Sequence, residues 1–305
     1  MTSTTSSSSS PIKIIVRPSL DRGHADHGWL DSYHTFSFAD YYDSSYQGFG
    51  PLRVINEDRV SAGRGFGRHP HRDFEIFSYV VRGELKHDDS LGHSETLGRG
   101  AVQFTSAGSG ISHSEMNGSN NSLVHFLQIW VKPSIMGLKP SYHTAIFDDE
   151  QKLKDWTLIV SPVEDNNLNG SISVHAPCRV YATMLKNGVE REFTIRPGYS
   201  VYVHVVSDIQ GMHKLNKETA LEIITEQGEN VRLNSGDGAF VTINGNNNNN
   251  NNNSKNMNKL VFKGVNVKAS TSAGNNGDEN KEGENSLSSS DNLKPTELIL
   301  FELKL

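Results

Sequence analysis

Residues 69–115 read HPHRDFEIFSYVVRGELKHDDSLGHSETLGRGAVQFTSAGSGISHSE, opening on His69-Pro70-His71 and closing on His113-Ser114-Glu115. Between the ends lie β-type runs over 74–81 and 101–104, separated by turn signals at Arg82-Gly83, Leu91-Gly92 and Gly98-Arg99-Gly100. In a strand, residues two apart share a face. Each end pair therefore points two ligand-type side chains the same way. Two such pairs facing each other inside a barrel would place His69, His71, His113 and Glu115 around one point.

The same grammar runs through the rest of the chain. Further strands are expected over 123–131, 179–185, 199–206, 220–225, 259–268 and 297–303, with turns at Asn187-Gly188, Pro197-Gly198, Gly228-Glu229 and Gly236-Asp237-Gly238. Many short strands at roughly ten-residue spacing predict an all-β fold: sandwich, barrel or jelly roll. Long helical periodicity is missing, and 148–156 is the best short helix, bridging two halves. The halves look alike. In the first, two strands joined at Arg82-Gly83 lead to the glycine turn before Ala101. In the second, strands joined at Asn187-Gly188 lead to Pro197-Gly198 before Tyr199, and Gly236-Asp237-Gly238-Ala239 resembles Gly98-Arg99-Gly100-Ala101. Two related β-barrels with few short helices are expected. The boundaries are an unstructured Ser/Thr-rich start (1–11), a first barrel (12–147) with the site, and a second barrel (148–305) without it. Asn-rich and Ser/Asn/Glu-rich inserts at 245–258 and 269–293 cannot build a core, and are expected as surface loops of the second barrel.

Composition limits the partners. The net charge of −6, with both signs interspersed and no Lys/Arg block, argues against direct nucleic-acid binding. One cysteine, Cys178, excludes an internal disulfide and reads as a small buried hydrophobe. The start has no apolar segment of a secretory signal, and there is no run of about 18 apolar residues to form a membrane span. Cytoplasm or nucleus is the expected location.

Three imidazoles and a carboxylate around an open position suit Fe(II), Mn, Ni, Cu or Zn. A closed structural zinc site would draw on thiolates, so the pattern favours a catalytic or sensing metal. Glu75 is a rival ligand by strand parity with His69 and His71, with a supporting hydrogen bond to an imidazole as its other role. His87 and His93 sit near turns and read as surface residues. His125 reads as a satisfied core histidine. His175, His204 and His213 have no x-spaced partner, so one metal per chain is expected.

At this point the chain resembles a known family. Arg22-Gly23-His24-Ala25-Asp26-His27-Gly28-Trp29-Leu30-Asp31-Ser32, His34-Thr35-Phe36-Ser37-Phe38 and Leu52-Arg53-Val54-Ile55-Asn56-Glu57-Asp58 resemble the N-terminal signatures of pirin-like proteins. The blocks 67–75 and 106–115 are similar to that family's ligand-bearing segments, and the long N-terminal signature is nearest its bacterial, quercetinase-containing branch. The resemblance implies a bicupin with one metal in the N-terminal barrel, held by His69, His71, His113 and Glu115. Fe(II) is the first candidate, with Mn, Ni, Cu, Co and Zn behind it. It further implies a quercetin 2,3-dioxygenase-type oxidoreductase that takes dioxygen and a flavonol or other small aromatic substrate and releases carbon monoxide and a depside. Glu115 would be its catalytic base, and Phe77, Phe104 and Phe126 are the expected walls of a dry pocket. The alternative it implies is a non-enzymatic, redox-sensing iron protein that docks a transcription factor.

Overall fold

The computed structural model describes residues 12–166, 168–207, 219–243, 258–266 and 294–305. The serine-rich start, nearly all of both inserts and His213 lie outside the described residues. In chain order the strands are β1 (Ile12–Arg17), β2 (Gly23–Asp26), β3 (Leu30–His34), β4 (Leu52–Val60), β5 (Gly65–His71), β6 (Glu75–Arg82), β7 (Leu85–Asp89), β8 (Ser94–Leu97), β9 (Ala101–Ser106), β10 (Ile111–Asn117), β11 (Val124–Val131) and β12 (Ser141–Ile146). A short helix, α1 (Asp149–Lys154), follows. The second half holds β13 (Thr157–Pro162), β14 (Ile172–Val174), β15 (Cys178–Leu185), β16 (Glu190–Ile195), β17 (Tyr199–Val205), β18 (Thr219–Thr225), β19 (Asn230–Asn234), β20 (Gly238–Ile243), β21 (Asn258–Asn266) and β22 (Thr296–Lys304). The helix forms where expected: the Asp148 side chain accepts from the Gln151 backbone N–H while the Gln151 side chain accepts from that of Asp148, a reciprocal cap.

The fold is a bicupin. Each barrel pairs a seven-stranded sheet with a four-stranded one. The first has orders β12-β9-β6-β11-β4-β3-β2 and β5-β10-β7-β8; the second has β1-β20-β17-β22-β15-β13-β14 and β16-β21-β18-β19. The two orders superimpose strand for strand, β4 to β12 on β15 to β22 and then β1.

That superposition corrects two expectations. Strand β1, assigned to the first barrel, pairs antiparallel with β20 in the second, from Ile12↔Ile243 to Arg17↔Gly238. It fills the edge position that β12 takes in the first barrel, so the second barrel is closed by residues from the other end of the chain. Sequence patterning shows that β1 is a strand, but not which edge it completes. The internal repeat is also phased differently. The counterpart of 179–185 is β4, and that of the strand after Pro197-Gly198 is β6. Turn composition alone cannot fix the phase, because every hairpin here uses glycine. The match between the turns before Ala101 and Ala239 does hold, since β9 and β20 are equivalent.

The two seven-stranded sheets pack face to face. Phe36, Phe77, Phe104 and Leu127 of the first barrel meet Val160, Val180, Tyr202 and Phe301 of the second in one buried cluster. Central strands are therefore buried on both faces: Glu75 through Val81 in β6 are all buried. Polar groups cross the interface too. Glu57 on β4 accepts from Arg22 Nη1 (3.0 Å), His125 Nε2 (3.0 Å), His204 Nε2 (3.1 Å) and the Ser207 N–H (2.7 Å) and hydroxyl (2.8 Å). His125 is thus the satisfied core histidine its pattern suggested. Lys152 of α1, fully buried, donates to Tyr79 (2.8 Å) and Glu297 (3.2 Å). Cys178 is free and buried, and burial pushes its thiol well above the ordinary range. Among the described residues no helix is long and apolar enough to cross a membrane.

Candidate metal centre

The site is built where β5 and β10 pair inside the first barrel. Burial along β10 alternates, so Ile111, His113, Glu115 and Asn117 point inward. The ladder sets His113 opposite His69 and Ile111 opposite His71, then shifts register so that Glu115 faces Phe66. This bulge lets two residues of β5 slip past one of β10 and re-aims the ligand side chains. A side chain at Gly65 would collide with the Glu115 carbonyl oxygen, so glycine is what allows the two strands to approach there.

The structure brings three of the four expected residues together. One ring nitrogen each of His69, His71 and His113 lies within 4.8 Å of the others, a geometry suited to holding a metal ion. The Nε2 atoms of His69 and His113 are 3.2 Å apart. His69 Nδ1 donates to the Gly67 carbonyl at 2.7 Å, which leaves its Nε2 lone pair facing the cluster. His71 Nε2 is buried without a hydrogen-bond partner. A buried polar atom with nothing to bond is costly, and a metal would satisfy it. Burial, then the neighbouring imidazoles, lowers His71 to about 4. Burial, then His69 and His87, lowers His113 to about 3. Neutral imidazoles keep the lone pairs that a metal needs.

Glu115 stands at the edge of this group. Its Oε2 is 3.9 Å from His113 Nε2, and its two oxygens accept from Ser78 (2.7 Å) and Gln128 (2.9 Å). Glu75 is not a rival. The chain turns at Asp73, which has φ of 58°, a conformation Asp tolerates better than most residues. That turn breaks the strand parity, and Glu75 faces the other barrel, accepting from the His175 N–H and Nδ1, both at 2.8 Å. Nor is His87 a surface residue. It is fully buried on β7, 3.2 Å from Asp89 and with its ring 5.2 Å from that of His113. Its burial was legible in the alternation of Leu85, His87 and Asp89, which the nearby turns masked.

A cavity of about 700 Å³ opens beside the histidines, within the size range of small-molecule sites. Its aromatic wall is Phe38, Tyr41, Phe66 and Trp130, not the expected phenylalanines. Phe77 and Phe104 belong to the core between the barrels, and Phe126 to a second buried cluster with Leu30, Val80, Leu97 and Val124. Trp130 packs edge-on against His71 at 4.9 Å between ring centroids. The N-terminal signature supplies much of the wall, through His24, His27, Leu30 and His34.

The pirin family model matches residues 16–131. A quercetin 2,3-dioxygenase of Escherichia coli K12 is 41% identical over 225 residues, covering 73% of this chain and 94% of that protein. The chain belongs to the pirin family. A putative quercetin 2,3-dioxygenase of Pseudomonas aeruginosa is 39% identical over 191 residues, covering 62% of this chain and 81% of its own length. Among solved structures, the pirin YhhW of Escherichia coli is similar with a TM-score of 0.71 and 31% identity, over 95% of this chain and 97% of that one. Its complex with nickel(II) gives a TM-score of 0.70 at 31% identity, over 96% and 99% of the two chains.

Proposed function

We propose that this pirin is a metal-dependent oxygenase of flavonol-type or other small aromatic substrates. The observation that carries the reading is a cluster of three imidazoles, with His71 Nε2 and His113 Nδ1 buried without hydrogen-bond partners, beside an aromatic-walled cavity. Relatives named quercetin 2,3-dioxygenase support it. His69, His71 and His113 would hold the ion, with Glu115 near enough to join as a fourth ligand. The bound ion would act as a Lewis acid towards a phenolic oxygen. The protein's own part is to position a flat ring against Trp130 and Phe66 and to keep water out. Iron, which the resemblance implies, and nickel, which a relative binds in its solved nickel(II) complex, are the two ions to load. No specific feature of the described residues favours the redox-sensing alternative.

The test is anaerobic purification, loading with Fe(II) or Ni(II), and quercetin absorbance followed with and without dioxygen. Dioxygen-dependent bleaching is expected from loaded protein. Unchanged absorbance would sink the reading.

A further inference from the structure

Deprotonating a phenolic substrate needs a base that touches it, and the sequence pointed to Glu115. Glu115 is not among the residues walling the cavity, and its oxygens accept from Ser78 and Gln128. Another carboxyl is. Asp58, on β4, lines the cavity together with Ser32, His34 and Asn56, on the wall formed by β3 and β4. The single hydrogen bond its carboxyl makes among the described residues comes from the Ser32 hydroxyl to Oδ1, which leaves Oδ2 for a ligand. His34 cannot compete as a base through Nδ1, because that nitrogen faces the Asn56 side-chain oxygen at 2.8 Å.

We infer that Asp58 is the general base of the cavity, taking the proton from a phenolic hydroxyl of the substrate while Ser32 steadies the carboxylate. This rests on the proposed function. In the step, the phenolic O–H bond breaks, the proton moves to Asp58 Oδ2, and the electron pair stays on the phenolate oxygen. No electrons leave the substrate.

The surroundings suit the role. Burial, with the charges of Glu115 on β10 and Glu57 on the same strand, raises Asp58 to about 7, while the Ser32 hydrogen bond and Arg22 pull the other way. His69 and His71 of β5 share the cavity with it. His34 on β3 is held below the ordinary imidazole value, chiefly by burial, and so adds no positive charge near neutrality. The neighbour on β11, Phe126, is uncharged. A base is most effective when its pKa lies near the working pH.

The test compares metal-loaded wild type with Asp58→Asn and Ser32→Ala, measuring metal content, the pH profile of quercetin turnover, and anaerobic quercetin binding read by the absorbance of its anion. Wild type should show a limb that rises with pH, because the carboxylate is the active form. Asp58→Asn should keep its metal, lose about 10²-fold or more in kcat/KM, and lose that limb. Ser32→Ala removes the bond that favours the carboxylate, so its limb should move to higher pH. A limb that persists in Asp58→Asn with near wild-type turnover overturns the inference and leaves the oxygenase reading standing. If wild type turns over no quercetin, the oxygenase reading fails and anaerobic binding decides the inference. Anion bound by wild type but not by Asp58→Asn supports it; the same ionisation state in both, or no binding, overturns it.

Discussion

The two barrels share one strand order and differ in what fills them. In the first, the ladder of β5 and β10 begins with His71 opposite Ile111 and continues with His69 opposite His113. In the second, the ladder of β16 and β21 begins with Ile195 opposite Asn258 and continues with Phe193 opposite Leu260. Counted from the first pair of each, the positions of His69, His71, His113 and Glu115 are taken by Phe193, Ile195, Leu260 and Phe262. Those four apolar side chains sit in the second barrel's own core, with Leu221 and Ile223. The same backbone thus holds a polar cluster beside a cavity in one copy and a packed core in the other. Four inward positions per barrel hold ligand-type side chains in one copy and apolar side chains in the other. Burial of a Phe or Leu contributes about 1.5–3 kcal/mol, while buried imidazoles without a metal or other partner lose stability. Where the second barrel has core, the first has a site.

The largest expected effect is on the first barrel. His113→Ala should abolish metal binding and lower any turnover by at least about 10³-fold, the several kcal/mol that a Lewis-acid ion contributes. Circular dichroism should stay that of a folded β protein. Metal stoichiometry equal to wild type in this variant would refute the site. Phe262→Ala attacks the equivalent of Glu115 in the second barrel. It should cost about 3–5 kcal/mol in denaturant unfolding and leave metal content unchanged; lost metal with unchanged stability would erase the distinction between the barrels.

Acid should act on the interface as well as on the histidine cluster of the first barrel. Burial opposes the Glu57 charge, but His204, His125 and Arg22 outweigh it and hold the carboxyl well below the usual range. Burial is also the largest cause lowering His125 and His204. As pH falls below the ordinary imidazole value of about 6.5, the unfolded chain binds protons that the folded hub refuses. Below the ordinary carboxylate value of 4.5 the same holds for Glu57. Stability therefore drops with acid in two stages, and Tm measured from pH 7 down to 4 should fall by several degrees. A flat profile would show that the hub does not couple the barrels. The smallest effect is on the linker between them: Asp148→Ala removes a helix cap and should cost about 1 kcal/mol, read as a small fall in Tm with unchanged metal content.

Much of this was legible in the chain, for identifiable reasons. His69-Pro70-His71 and His113-Ser114-Glu115 could be paired because the two-residue period of a strand is local, and the structure joins the three histidines. The cavity wall was misassigned because Phe77, Phe104 and Phe126 have the same alternation as cavity residues. Which face of a doubly buried strand meets the other barrel is a tertiary fact. His87 and Glu75 failed for local reasons, a turn that hid burial and an Asp73 conformation that broke parity. Asp58 lies in a quoted signature segment, yet nothing in Leu52–Val60 says that Asp58 faces a cavity while Glu57 faces the partner barrel.

The sequence by itself determined the all-β class, the helix at the joint, the duplication and the identity of the histidine cluster, because each rests on spacing within a strand or on turn chemistry. Only the tertiary structure decided that β1 closes the far barrel, that Glu115 stands at the edge of the histidine cluster, and that Asp58 faces the cavity. Those outcomes depend on long-range pairing and on which of two buried faces meets which neighbour, and neither leaves a local signal in the chain.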